Sequence, residues 1–505
     1  MKALISVYDK NGLEQLCETL ESINCQIYST GGTLSFIENC GFKVSSIFEI
    51  TGHEEILDGR VKTLHPNIHA GILADPENPN HLSDIKKLNI DLFDIVVNNL
   101  YPFEKVSTST DSTYSEIIEN IDIGGPSMLR AAAKNYKRMI VIYDPKDYHM
   151  ISAKLKAKSV DLETRKELAT KIFKFTSDYD SKIFNFLSKN ENKSSSISEK
   201  LELSLTKIQD LRYGENPHQK GAVYSDKKNG VANLRLLHGK EMSYLNYLDA
   251  DAAFYAANSF SKKCVSIVKH TNACGLSSQN NQLDAYKLAL RGDPVSAFGG
   301  IVGLNTELET ETAKEIVKTF FDVIIAPSFS EESIKILTAK KNMRLIVSDF
   351  VHQDTEYRTI NGGILFQQKD NSNEDIKSWN FITKIKPEKD EIENLIFAWN
   401  ATRFIKSNAI VITEGESIIG MGSGQPNRIN SVNLAGKRAE KYISENSILA
   451  SDAFFPFADS IELADKYNIK TIIQPGGSIR DKEVINKADE LNIKMIFTNK
   501  RHFSH

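Results

Sequence analysis

Along the first third of the chain, short apolar and β-branched runs at residues 3–7, 26–29, 44–48, 95–100 and 139–143 alternate with amphipathic stretches such as 12–20 and 128–136. The runs predict strands and the stretches predict helices. Such alternation predicts a parallel sheet, because parallel neighbours need a crossover and the crossover helix buries its apolar stripe on the sheet. Leu168, Ile172, Phe175, Tyr179, Ile183 and Phe186 recur every three or four residues, which predicts a long amphipathic helix closing a first domain at 1–187. Residues 188–200 are serine-rich and polar, unable to bury a face, and predict a linker to a second domain at 201–505. There the alternation resumes, with strands expected at 265–268, 323–326, 409–412, 417–421, 471–474 and 495–497 and a long helix at 388–404. Two α/β lobes fit the length of this half.

Composition narrows the class. The 505 residues exceed one core and imply at least two domains, and 41% apolar with 25% charged residues is ordinary globular usage. A net charge of -4 gives no field for a polyanion, which excludes nucleic acid as a partner. The five cysteines (Cys17, Cys25, Cys40, Cys264, Cys274) contain no C-x-x-C pair, arguing for reduced thiols in a cytoplasm and against zinc. Residues 1–6 enter a strand with no signal-peptide core, and no apolar stretch reaches membrane-spanning length. A cytoplasmic protein is expected.

Candidate chemistry in the first domain gathers at predicted strand ends. Thr30-Gly31-Gly32-Thr33 places hydroxyls and backbone N–H groups at a helix start, a phosphate cradle. Tyr8-Asp9-Lys10 ends the first strand and supplies a cation on the same sheet edge. In Gly59-Arg60-Val61-Lys62-Thr63-Leu64-His65-Pro66 two cations stand two apart, on one face if extended. Asn98-Asn99-Leu100-Tyr101-Pro102 offers two amides and a phenol to read a carboxamide-like edge. Ile121-Asp122-Ile123-Gly124-Gly125 sets a carboxylate beside flexible backbone, and Arg130 and Lys134 follow on one helical face, where an ordinary charged stripe is the plainer reading.

In the second domain, Lys269-His270 follows Cys264-Val265-Ser266-Ile267-Val268, putting a cation and a proton-transfer group where a buried strand ends. Arg212-Tyr213-Gly214-Glu215-Asn216-Pro217-His218 packs a cation, a phenol and an amide around a turn. The turns at 293–300 and 423–428 permit close backbone approach to a ligand, and the aromatic run at 451–457 reads equally as a cleft wall or as core. A zinc nucleobase deaminase would require His-x-Glu and Pro-Cys-x-x-Cys; His270 is followed by Thr271-Asn272, and no Cys-x-x-Cys pair occurs.

Taken in chain order, Thr30 to Thr33, the segment 59–66, Asn99-Leu100-Tyr101-Pro102-Phe103, the segment 121–125 with Ala131-Ala132-Ala133-Lys134, Arg212 to His218, Lys269-His270, the segment 451–457 and Thr498-Asn499-Lys500-Arg501 carry a family resemblance. They resemble the bifunctional purine biosynthesis family, which joins IMP cyclohydrolase to AICAR (5-aminoimidazole-4-carboxamide ribonucleotide) formyltransferase. The resemblance covers essentially the whole chain. It implies an N-terminal methylglyoxal-synthase-like domain with a parallel sheet, and a C-terminal formyltransferase domain of two cytidine-deaminase-like α/β lobes without zinc. It also implies two reactions: 10-formyltetrahydrofolate, a co-substrate, formylates the 5-amino group of AICAR, and the product FAICAR closes to IMP with loss of water.

By this resemblance His270 takes the amine proton, Lys269 stabilises the tetrahedral oxygen or aids departure of the folate nitrogen, and Asn408 orients the carboxamide or formyl group. Arg212, Tyr213, Gly299, Asp322, Arg428, Phe454 and Arg501 fall on AICAR-binding positions, and Ile429, Asp459, Ser478 and Ile479 on folate-side positions. Lys62, Tyr101, Asp122 and Lys134 match the cyclohydrolase residues, Lys134 as proton donor. Tyr8, Asp9, Lys10, Thr30, Gly31, Gly32, Thr33, Arg60, Thr63, Asn98, Asn99, Ile123 and Gly124 match the grip on FAICAR or IMP. The family implies a homodimer with shared formyltransferase sites, no membrane and no catalytic metal. Two departures stand out: Ala273 where bacterial relatives usually carry proline, and a glycine-rich loop at Gln474-Pro475-Gly476-Gly477-Ser478 that puts the folate-side positions in doubt. A nucleotide sensor without turnover is the competing reading; it would have no need of Lys269-His270 beside Asn408.

Overall fold

The structure, a computed structural model, describes residues 1–57, 60–109, 111–188, 197, 201, 203–225, 229–371 and 376–505. Gly59 of the cationic motif, and 189–196 and 198–200 of the expected linker, lie outside the described residues. The chain divides into two compact units, Met1–Glu202 and Leu203–His505.

The first unit is built on a five-stranded sheet: β1 (Lys2–Val7), β2 (Gln26–Ser29), β3 (Val44–Ser46), β4 (Ile95–Asn99) and β5 (Ile140–Ile142), ordered β3-β2-β1-β4-β5. All pairs are parallel. Leu4, Ile5, Val96 and Val97 are fully buried under helices on the sheet faces. Strand order reverses between β1 and β4, so the loops after these strands part and leave a crevice. The run at 44–48 is shorter than expected, because Phe48–Thr51 turns into a helix closed by left-handed Gly52. The amphipathic pattern forms one helix, Leu162–Ser188, burying Leu168, Ile172 and Tyr179.

The second unit holds two six-stranded sheets. The first runs β10-β9-β11-β12-β13-β8, where β8 is Arg235–His238, β9 Lys263–Lys269, β10 Asn272–Gln279, β11 Ile301–Leu304, β12 Val323–Ala326 and β13 Arg344–Val347. The second runs β16-β21-β20-β19-β17-β18, with β16 Asn380–Phe381, β17 Ile410–Thr413, β18 Ile418–Gly422, β19 Ile448–Ser451, β20 Thr471–Gln474 and β21 Lys494–Phe497. Each sheet joins an antiparallel hairpin (β9-β10, β17-β18) to three parallel strands. A helix precedes each hairpin (Tyr244–Asn258, Ile392–Ala401) and another follows it (Gln282–Gly292, Arg428–Ala439). The two lobes thus share one topology, a repeat that no residue-level periodicity announces. Two-stranded hairpins, β6-β7 (Thr206–Leu211, Gly221–Ser225) and β14-β15 (Thr355–Ile360, Gly363–Gln368), complete the strands.

Two expectations change. Residues 388–404 form a helix only at Ile392–Ala401, with 3-10 turns at Lys389–Glu391 and Thr402–Phe404. The segment after Lys269-His270 is the buried strand β10, whose small residues Ala273, Cys274, Gly275, Ser277 and Ser278 hide its β character in the sequence. Lys269-His270 therefore stands at a hairpin turn beside the N-terminal ends of β11 and β12, not in a loop leaving a parallel strand.

Candidate active sites

A cleft of about 820 Å3 opens where β1, β2 and β4 end in the first unit. Thr30 occupies the N-cap position of the helix Gly31–Asn39, yet its side chain makes no capping bond. Its buried Oγ1 has no partner, and the first helical N–H groups of Gly31 and Gly32 line the same wall. Thr33 is spent otherwise: its hydroxyl donates to Val7 O (2.9 Å) and accepts from Val7 N (3.1 Å), tying the helix to β1.

The two asparagines divide their roles. Asn98 donates to Ser6 O at 2.7 Å and leaves its buried Oδ1 unpartnered beside the cleft. Asn99 accepts from the backbone N–H groups of Tyr8 and Asp9 at 2.7 and 2.9 Å and donates to Asp9 O at 2.9 Å. Asn99 therefore braces the 8–9 loop, and Asn98 alone keeps an amide oxygen for a ligand.

Asp122 accepts the Gly125 N–H on Oδ1 at 2.9 Å, while its own N–H donates to the Tyr179 hydroxyl at 2.8 Å. Burial pushes its carboxyl above the ordinary range, opposed by the Gly125 N–H, the Lys62 charge and the Tyr101 backbone. Tyr101 packs edge-on against Tyr8, ring centroids 5.6 Å apart. Lys62, Thr63, Lys10, Ile123 and Gly124 also line the cleft. Arg60 does too, bound through two nitrogens by Glu119.

Two expected residues are not brought together with these. Asp9 stands outside the lining, its carboxylate accepting Asn11 N. Lys134 is the exposed last residue of the helix Gly124–Lys134. At about 1.5 Å per residue the helix carries it roughly 15 Å from Gly124, toward the opposite edge of the sheet. Asn135, next to it, donates to Ile72 O and Ala74 O there. Sequence reasoning missed Glu55 and Glu119; Glu55 lies beside Gly31 with the Lys62 ammonium, and only the fold places it there.

In the second unit, Lys269 ends β9 and donates to Phe298 O at 2.8 Å. Gly299 (φ +72°) and Asp322 sit at the neighbouring starts of β11 and β12, where Gly300 O accepts the Asp322 N–H at 3.0 Å. Burial raises the Asp322 carboxyl, opposed by the Arg344 and Lys269 charges. His270 is exposed at the hairpin turn.

Asn272 joins this hairpin to the other lobe, accepting from Lys406 N (3.0 Å) and Ser423 Oγ (2.7 Å). Two residues on, Asn408 donates to Gln425 O at 2.7 Å and accepts from Arg428 at 2.6 Å. Arg428 is buried and ion-paired with fully buried Asp452, whose other oxygen accepts from Ser407. Burial lowers the Lys406 ammonium, helped by the Arg358 charge. Asn272 thereby ties the turn that carries Lys269 and His270 to Lys406, two residues before Asn408.

The aromatic run at 451–457 answers both ways: Phe455 is core, whereas Phe454 and Phe457 are exposed, Phe457 under the Arg480 guanidinium at 4.7 Å. Asp481 accepts from Gly477 N and Ser478 N, ordering the glycine-rich loop and leaving Ile479 fully exposed. Ile429 and Asp459 lie in the first turns of their helices. Arg212 lies over the Tyr213 ring at 5.7 Å just after β6, and Arg501 over Phe503 at 4.9 Å. No hydrogen bond or ion pair among the described residues joins Arg212, Tyr213 or Arg501 to the His270 turn.

Comparison with known proteins gives two family matches and a set of full-length relatives. The AICARFT/IMPCHase bienzyme family matches residues 132–438, and the MGS-like domain matches residues 12–127. The chain is 45% identical over 515 residues to a bifunctional purine biosynthesis protein PurH of Caldicellulosiruptor saccharolyticus, taking in 100% of this chain and 99% of that one. It is 44% identical over 511 residues to the Bacillus cereus PurH, covering 100% and 99%. It is 42% identical over 543 residues to the protein of the same description from Dictyostelium discoideum, covering all of both.

Proposed function

The chain belongs to the AICARFT/IMPCHase bienzyme family, and from that premise we propose how its residues divide the two reactions. It is a bifunctional enzyme of purine biosynthesis, AICAR formyltransferase and IMP cyclohydrolase.

The cleft of the first unit is the cyclohydrolase site. The FAICAR phosphate seats on the N–H groups of Gly31 and Gly32, the Thr30 hydroxyl and Lys10, a helix start suited to an anion. The carboxamide nitrogen then attacks the formyl carbon, forming the C–N bond, and water leaves. Holding the two groups in contact is most of the task. The unpartnered Asn98 Oδ1 accepts a carboxamide N–H; Asp122, with its raised carboxyl, exchanges protons with the closing ring; Lys62 and Tyr101 stabilise the formyl oxygen. The single observation that carries this reading is the convergence of two orphaned buried oxygens and a buried carboxyl on one cleft.

Formyl transfer belongs to the second unit. The AICAR amine attacks the formyl carbon of 10-formyltetrahydrofolate, His270 takes the amine proton, Lys269 stabilises the tetrahedral oxygen, and the folate nitrogen leaves with a proton. Asn408, fixed by Arg428, orients the carboxamide or formyl group. Arg212, Tyr213, Gly299, Asp322, Phe454 and Arg501 contribute the nucleotide side and Ile429, Asp459, Ser478 and Ile479 the folate side. A second copy completes the site; the exposed hairpin β14-β15, with Tyr357, Ile360, Ile364 and Leu365 outward, favours that pairing, since an isolated hairpin is marginally stable. Five free cysteines, and no helix among the described residues long and apolar enough to cross a membrane, suit a cytoplasmic location.

The test is IMP formation from AICAR and 10-formyltetrahydrofolate by the wild type beside His270→Ala. Wild-type product, with FAICAR closure but no FAICAR synthesis in the variant, is expected. Ligand binding without product in wild type would sustain the sensor instead.

A further inference from the structure

The turn that carries His270 includes a residue, Thr271, that resists its shape. Lys269 and Asn272 pair across β9 and β10, so His270 and Thr271 are the two central residues of a hairpin turn. Both have positive φ, 53° and 60°. Such a turn suits Asn-Gly, and a β-branched threonine in the left-handed region is an outlier. Strain of this kind persists only where the surroundings over-determine it.

Here the surroundings are Asp249, half-buried on the helix Tyr244–Asn258. Its Oδ2 accepts the His270 N–H at 3.1 Å and its Oδ1 accepts the Thr271 N–H at 2.7 Å. Both are charge-assisted bonds, the strong kind. On the other side, the His270 carbonyl accepts from the Thr271 hydroxyl at 2.7 Å and from the Asn272 side-chain amide at 3.0 Å. The main chain of His270 is thus fixed at both ends. Its exposed ring has no hydrogen-bond partner among the described residues. This is the pattern of a side chain presented by its backbone, in place of one held by its own contacts.

From this we infer that Asp249 is a positioning residue for formyl transfer, holding the His270–Thr271 turn in the left-handed conformation that aims the imidazole at the amine. The inference rests on His270 being the base. Removing the carboxylate lets the turn relax and displaces the ring, and a displacement near 1 Å costs on the order of a hundredfold in rate.

The experiment measures kcat and KM for FAICAR synthesis in full-length wild type, His270→Ala, Asp249→Ala, Asp249→Asn and Asp249→Ala/Thr271→Gly. Asp249→Ala is expected to lower kcat about tenfold to a hundredfold with KM for AICAR within about threefold, since positioning acts on the transition state more than on binding. Closure of supplied FAICAR stays at the wild-type rate. Asp249→Asn, which keeps the volume and one acceptor, falls between. The double variant recovers most of the lost kcat, because glycine adopts positive φ without strain. Asp249→Ala with kcat within about twofold of wild type, or a double variant as slow as the single one, overturns the inference. Should Asp249→Ala fail to accumulate as folded protein, Asp249→Asn with and without Thr271→Gly gives the same comparison. If His270→Ala retains FAICAR synthesis, the base assignment fails separately.

Discussion

Asp122 Oδ1 accepts the Gly125 N–H at 2.9 Å, and a Cβ added at Gly125 would lie 2.6 Å from the other Asp122 oxygen and 2.5 Å from a Leu100 methyl. Glycine is required there by space, since the carboxyl and the helix start share one volume. Gly125→Ala is expected to lower FAICAR closure at least about a hundredfold while leaving FAICAR synthesis intact, because near-attack geometry tolerates little displacement. The conversion of FAICAR to IMP, followed by absorbance, checks this; closure within a few-fold of wild type would show that Asp122 is not held through Gly125.

Asp122 should trade stability for function. Its folded-state carboxyl is raised by burial, so in the window from the ordinary carboxylate range up to the folded value the unfolded chain ionises and the folded chain keeps its proton. Its contribution therefore falls as pH rises through that window, and at neutral pH the group is destabilising. Asp122→Asn is expected to raise the Tm of the first unit at pH 7 and to shrink that gain below pH 4, while abolishing closure. Calorimetry at the two pH values decides it; a lower Tm at pH 7 would contradict the raised carboxyl.

Lys134 provides a test of the cleft's membership. It stands at the far end of the helix Gly124–Lys134, so Lys134→Ala is expected to leave FAICAR closure within a few-fold of wild type. A loss near that of Asp122→Asn would mean that the ammonium reaches a cleft of a second copy, and mixing the two variants would then restore activity.

Arg428 and Asp452 form a buried ion pair, and Arg428 also holds Asn408 at 2.6 Å. Removing one partner of a buried pair costs about 3–5 kcal/mol through the charge left behind. Arg428→Ala is expected to lower the unfolding free energy of the second unit by about that amount and to abolish FAICAR synthesis. Asp452→Asn should destabilise less, because an amide oxygen still accepts from Arg428. Denaturant melts of both variants give the comparison.

The parallel sheet of the first unit was legible because buried parallel strands read as continuous apolar runs, as at Ile95-Val96-Val97, and because Leu168 to Phe186 keep strict helical spacing. Its cleft was legible in part: strand ends announced Thr30 to Thr33, Asn98 and Tyr101, but not that Asn99 spends its amide on the 8–9 backbone. The strand β10 was illegible because Ala273, Cys274, Gly275, Ser277 and Ser278 are small residues suited to close packing, where Gly275 lies against the Ala289 carbonyl.

The sequence by itself determined the periodicities and the residue types at Lys62, Asp122, Lys269, His270 and Asn408, since these are properties of neighbours along the chain. Which groups meet was decided by the tertiary structure alone. Asp249 reaches His270 across 21 positions, Asn272 reaches Lys406 across 134, and the helix Gly124–Lys134 carries Lys134 away from Asp122 only 12 positions before it. Hydrogen bonds act over about 3 Å of space, whatever the distance along the chain, so their partners are fixed only once strands pair and helices pack.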